Sequence, residues 1–450
     1  MQKIRTIGLV GCLLWALTGC RPSVPDGRDL ATVFRDVTLI DGNGAQPRAH
    51  VDLIIQGDSI LSIGETGKDS LPPGARILDE RGKVVIPELI NCHGHLGLLK
   101  GTTMSSGNYT RDNVLRQLVR YEHYGVGAVL SLGTDHQEIF AWRDSSHAGL
   151  LSGATIYTAG FGFGVPGGAP PPSFGMDKVY RPTTAEAATE DVRRLAPLKP
   201  DVVKLWLDDF GGKMPEMKPE VYAAVIAAAH RQGLRVAAHV FHIRDARRLV
   251  ALGIDVLAHS VRDSLIDDSL LAAMKAGGVT YIPTLSLDEF QFVYVDSPAW
   301  LNEPFFKGSL EPGVWDTVTS QAYLDRLRKD PGLPAKRATL RIALQNLKRV
   351  YDAGIPVVLG TDSGAQPIRA QGFSEHRELQ LLVKAGLTPL EALTVATRNG
   401  ARLLRIDTQR GTLEPGKRAD FVLLSGDPSV DISQTESIVS VWQNGVRLGE

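Results

Sequence analysis

Cysteine is scarce. The chain has 3 in 450 residues, at Cys12, Cys20 and Cys92, too few for a disulfide scaffold. Aromatic residues make up 6%, which offers no stacking platform for nucleobases. An excess charge of either sign is also missing. The 49 basic and 50 acidic side chains leave a formal net charge of -1, so no basic surplus exists to neutralise phosphates, and nucleic acid is excluded as the main partner. Beyond the N-terminal leader, no apolar run is long enough to cross a bilayer.

What is present suits a large soluble body. Hydrophobic residues are 43% and charged residues 22%, enough to bury a sizeable core. By length the chain fits two or three domains of about 150 residues, or one barrel with an appendage. The first residues are a targeting segment. Lys3 and Arg5 precede the apolar stretch Ile7 to Leu17, too short for a permanent span. The run Leu17-Thr18-Gly19-Cys20 resembles the bacterial lipobox, with an ordinary signal peptide as the alternative. The reading is a signal peptide at 1–19 and a lipidated Cys20. A Pro- and Gly-containing linker follows at 20–29. It places the protein outside the cytoplasm, on the periplasmic side of the envelope, with the membrane as partner through its lipid. Arg21 after the cysteine, rather than Asp, favours the outer membrane of a Gram-negative cell.

Both ends of the remaining chain have strand character. Near the start, Val37 to Ile40 and the alternating Val51 to Ile55 are separated by the turn signals Asp41-Gly42-Asn43-Gly44. Near the end, Ala419 to Leu424 and Ser437 to Trp442 repeat it. Residues 30–82 and 409–450 are therefore expected to build one small β-sandwich from both termini. Between them, β-branched runs alternate with Ala/Leu/Arg-rich helical stretches such as Pro219 to Gln232 and Ile243 to Leu252. This alternation implies parallel strands with helical crossovers. About eight such units in 83–408 favour an α/β fold of the (β/α)8 TIM-barrel type. Gly160 to Pro172 and Leu285 to Gly332 read as loops over its mouth.

The polar residues at strand ends carry the chemistry. In Asn91-Cys92-His93-Gly94-His95 the two histidines alternate on extended chain and so point the same way. His239 and His259 each end a strand-like run, Asp362 follows Val357-Val358-Leu359-Gly360-Thr361, and Lys204 lies within Val202 to Trp206. Ligand-type side chains at successive strand ends meet at the top of a barrel. Imidazole and carboxylate are good ligands for zinc and its neighbours. Lysine as an ammonium has no lone pair and binds no metal; its alternative is a buried salt bridge to Asp208 or Asp209.

In this order the residues resemble the amidohydrolase superfamily, in its binuclear subtype with a carboxylated lysine. That pattern is His-x-His, Lys, His, His, Asp, matched here by His93, His95, Lys204, His239, His259 and Asp362. The returning segment Gly411 to Leu424 is similar to the family's as well. Pro87-Glu88-Leu89-Ile90 and Ser374 to Leu379 resemble the imidazolonepropionase-like and prolidase-like branch. The resemblance implies two divalent metal ions, read as Zn2+, that activate a hydroxide against an amide carbonyl. Asp362 is then both ligand and catalytic proton carrier. The expected substrate is a small amide or peptide, such as a dipeptide or N-acyl amino acid. Two rivals stand beside it: a one-metal deaminase or cyclic-amide hydrolase on the same fold, and a lipid-anchored binding protein without turnover. His242 and His376 are candidate substrate contacts, Cys92 reads as packing, and a homo-oligomer is an open expectation.

Overall fold

A computed structural model describes residues 30–449. The leader at 1–19, the linker at 20–29 and Cys20 lie outside them. Seven short strands follow one another through the middle of the chain: Leu89–Gly94, Val126–Ser131, Thr155–Thr158, Val203–Trp206, Val236–His239, Val256–Ala258 and Thr280–Ile282. The first three pair in parallel, and so do the last four. Phe163 bridges the two groups, donating its N–H to Lys204 O at 2.8 Å and accepting from Trp206 N at 3.0 Å. Residues 356–361 take the eighth place. Pro356 O accepts from Tyr281 N at 2.9 Å, and Leu359 O accepts from Cys92 N at 2.8 Å. The ring closes into a barrel.

Burial explains why these runs do not alternate in polarity. All six residues of Val126–Ser131 are buried, because one face fills the barrel and the other meets the helices outside. The helix Pro219–Arg231 shows the matching pattern. Pro219 starts it, where a missing N–H costs nothing. Val221, Tyr222, Val225, Ile226, Ala228 and Ala229 form its buried stripe.

The two termini pair with each other. Strand Val84–Pro87 lies between Thr32–Leu39 and Phe421–Leu424, within one eight-stranded sheet. The Phe34 ring meets Phe421 at 5.0 Å and Trp442 at 4.8 Å, both edge-on. The sheet therefore curls until strands distant in its order share a core. The buried Arg410–Asp420 ion pair, at 2.6 Å, sits at its junction with the barrel.

One loop expectation changes. Gly160 to Pro172 is irregular, as expected, but Leu285 to Gly332 is a run of short helices, including Pro304–Ser309, Val314–Thr319 and Gln321–Arg328. Each is too short to show a helical period, so only their shared core reveals them. That core is aromatic: Trp300, Phe306 and Phe373 lie with ring centroids 4.7–5.0 Å apart. Among the described residues no helix is long and apolar enough to cross a membrane.

Candidate metal centre

The barrel's strand ends bring the predicted side chains together. His93 lies on Leu89–Gly94 and His95 one step beyond it. The last barrel run passes tightly against them: a Cβ on Gly360 would sit 2.7 Å from His93 Cβ and 2.3 Å from Ile282 Cγ2. Lys204 stands inside Val203–Trp206, and Trp206 is in register with His239 on the next strand. His259 and Asp362 each follow the last residue of an extended run and turn with positive φ, 77° and 57°. Such backbone costs a non-glycine residue about 1–3 kcal/mol and is typical of functional sites.

Asp362 ties the cluster together. Its Oδ1 lies 2.8 Å from His95 Nε2 and 3.3 Å from His93 Nε2. Its Oδ2 is ion-paired with Arg369. His93, His259 and Asp362 each offer a ligand atom, all within 4.8 Å of one another. The ring of His259 lies 4.4 Å from that of His93 and 4.2 Å from that of His239. Lys204 Nζ ends 3.5 Å from His93 Nε2.

The donor set fits divalent metal. His95 donates Nδ1–H to Gly133 O at 2.6 Å, and His259 Nδ1 meets Thr284 Oγ1 at 2.8 Å, so each ring turns its Nε2 to the cluster. His239 gives its Nε2 to Asp208 at 3.0 Å, leaving Nδ1. Bonding one ring nitrogen in this way fixes the orientation of a ligating histidine. Burial, reinforced by neighbouring positive groups, holds the His93 and His259 imidazoles well below their usual pKa, so they stay neutral with a lone pair available. Burial pushes the Asp362 carboxyl up, but Arg369 and the two histidines outweigh it and hold it well below the usual carboxylate range. Burial draws Lys204 down to about 7, against the pull of Asp362.

Lys204 forms no ion pair with either aspartate, Asp208 or Asp209. Asp208 is engaged with His239, and Asp209 with Arg244 at 3.0 Å and His242 at 3.4 Å. His376, expected at the mouth, is not among the residues that line the cavity. It is buried in the helix Phe373–Lys384, with Nδ1 on Thr435 Oγ1 and Nε2 on Tyr124 O, each at 2.9 Å. A helix face turned toward the terminal segment, not the mouth, explains this. His242 caps the helix Ile243–Ala251 and lies between Asp263 and Asp209. Cys92 is fully buried and packs as expected.

Above the cluster opens a cavity of about 1100 Å³. Its walls include Trp206, Phe241, Leu287 and Tyr323, and also two arginines, Arg262 and Arg369. Sequence reading missed both. The only signal was position, three residues past His259 and seven past Asp362, in the loops that follow candidate ligands.

Comparison with known proteins agrees with this geometry. Residues 84–448 match the model of the amidohydrolase family. The chain is 25% identical to the ochratoxinase of Aspergillus niger over 469 aligned residues, 94% of this chain and 88% of that protein. A stretch of 107 residues is 40% identical to the imidazolonepropionase of Deinococcus deserti, covering 22% of this chain and 26% of that one. A solved Xaa-Pro dipeptidase with methionine in its active site shares the fold, with TM-score 0.74 and 23% identity over 93% of this chain and 99% of that one.

Proposed function

We propose, from the premise that this chain belongs to the amidohydrolase family and is a metal-dependent hydrolase acting on carbon–nitrogen bonds, that it cleaves the amide of an N-acyl amino acid or dipeptide at a two-metal centre. His93, His95 and Asp362 would hold one ion, His239 and His259 the other, and Lys204 would bridge them. The observation that carries this reading is the convergence of all six side chains at one end of the barrel, with buried Lys204 facing an imidazole at 3.5 Å rather than a carboxylate.

Bound divalent ions, read as Zn2+, supply Lewis-acid polarisation of a carbonyl and water acidified toward a pKa of ~7. The protein's own groups do the rest. Asp362 takes a proton from the attacking water on Oδ1 and returns it to the leaving nitrogen. Gly133, Thr284 and Asp208 keep His95, His259 and His239 aimed. Lys204 becomes a bridge by adding CO2: a bond forms between Nζ and the carbon, one proton leaves the nitrogen, and a carbamate anion remains. A neutral, buried amine favours that addition.

One observation favours a second reading. The tightest set, His93, His259 and Asp362, suits a single ion, as in a deaminase or cyclic-amide hydrolase. The test is a screen of zinc-loaded protein against N-acyl amino acids, dipeptides, lactams and aminated heterocycles. Release of an amino acid from the first two supports the proposal; ring opening or ammonia release alone overturns it. A lipid anchor at Cys20, facing the periplasm, and the small β-sandwich formed by the curled terminal sheet belong to the same reading. Cys20→Ala releasing the protein from the membrane fraction supports the anchor.

A further inference from the structure

Two guanidinium groups line the cavity beside the candidate centre, and neither is fully engaged. Arg262 and Arg369 are 5% and 8% exposed. Arg262 Nη1 reaches Ser260 O at a long 3.4 Å, and its Nε stands 3.5 Å from Asp288 Oδ1 without a hydrogen bond. Asp288 Oδ2 is buried and likewise has no hydrogen-bond partner. Arg369 gives Nη1 to Asp362, while its Nε is buried with no partner. Buried charged groups with unmade hydrogen bonds are costly, so these donors stand available to a ligand in the cavity.

The unengaged donors give the ligand its character. Asp362 is paired with Arg369, and Asp288 stands 3.5 Å from Arg262 without a hydrogen bond, so two carboxylates face two arginines. What is left over is donor N–H groups, the Nε atoms of Arg262 and Arg369 among them, and these match an acceptor such as a carboxylate. A guanidinium presents parallel N–H donors that fit a carboxylate. Phe241 lies under Arg262 at 5.0 Å and fixes its plane; having no donor of its own, it leaves the hydrogen bonding to the arginine. The cavity walls also carry apolar side chains, Trp206 and Leu287 among them.

We propose that Arg262, assisted by Arg369, forms a subsite for the substrate's free carboxylate, so that the enzyme selects acids with a bulky apolar group over neutral amides of the same shape. This rests on the amide-hydrolase reading above and adds the group that decides its specificity. Arg262 is a binding residue here; it takes no part in bond cleavage.

The test has a binding arm and a turnover arm. Calorimetry on zinc-loaded protein compares 3-phenylpropionate with 3-phenylpropan-1-ol, neither of which contains an amide. Kinetics compare N-benzoyl-L-phenylalanine with N-benzoyl-2-phenylethylamine, which lacks the carboxylate. Wild type should prefer the acid in both arms. Arg262→Gln should weaken binding of 3-phenylpropionate by about ten- to a hundredfold, the value of a charged hydrogen bond. It should also collapse the acid-to-neutral ratio of kcat/KM, and Arg262→Lys should recover part of each. Because Arg262→Gln leaves Asp288 unpaired, the double variant Arg262→Gln/Asp288→Asn repeats the measurement with both charges removed. Equal binding of acid and alcohol by wild type, or unchanged acid binding in both Gln variants, overturns the subsite. Acid binding that depends on Arg262 without cleavage of any amide keeps the subsite and sinks the hydrolase reading. Cleavage that ignores the carboxylate does the reverse.

Discussion

Asp362 and Arg369 form a buried ion pair in which the carboxylate's other oxygen lies 2.8 Å from His95 Nε2. One aspartate thus serves a cation on one side and two candidate metal ligands on the other. Asp362→Asn keeps the volume and removes the charge. Turnover should fall by about 10²- to 10⁴-fold, the usual contribution of a positioned proton carrier. Metal-free protein should also lose about 3–5 kcal/mol of stability, because Arg369 is left buried without its partner. Steady-state kinetics and urea unfolding of wild type and variant measure both; full activity in the variant would remove Asp362 from the chemistry.

His376 makes a pH prediction of a different kind. Burial lowers its pKa from 6.5 to about 4, only partly offset by Tyr124 O. The unfolded chain therefore binds a proton between pH 6.5 and 4 that the folded chain refuses. Stability contributed by the neutral ring is complete above pH 6.5 and is lost as the pH falls toward 4. The loss is on the order of 3 kcal/mol across that window. His376→Asn should flatten this part of the curve of urea midpoint against pH. An unchanged acid slope in the variant would assign the titration elsewhere.

The terminal sheet predicts a long-range dependence. Phe421 packs its ring 5.0 Å from Phe34, although 387 positions separate them in the numbering. Phe421→Ala should cost about 3–5 kcal/mol in global unfolding. Deleting residues 411–450 should abolish soluble expression, since Val84–Pro87, which leads into the first barrel strand, then loses a neighbour. A truncated chain that unfolds with the wild-type midpoint would mean that the barrel stands alone.

These residues also show what the sequence could reveal. The six candidate ligands were legible because each ends or interrupts a β-branched run, and strand ends on a barrel share one face. The same logic found the helices Pro219–Arg231 and Ile243–Ala251 to within a residue. It failed where neighbours come from distant chain. The aromatic core of Trp300, Phe306 and Phe373 unites pieces too short to carry a period of their own. His376 looked like a mouth residue because it lies near Asp362 in the chain, yet its helix turns it to Thr435. Arg262 and Arg369 look like ordinary surface charges until the fold buries them.

The central claim is a two-metal centre bridged by Lys204, and metal analysis of wild type and Lys204→Ala tests it most directly. An ammonium beside two divalent ions would be repelled, whereas a carbamate supplies the bridging anion that the four histidines cannot. Wild-type protein, purified with bicarbonate and zinc, should hold about two ions per chain, and Lys204→Ala about one with most turnover lost. A short carboxylic acid added to the variant should restore part of the rate. Two ions per chain and full activity in Lys204→Ala would contradict the account.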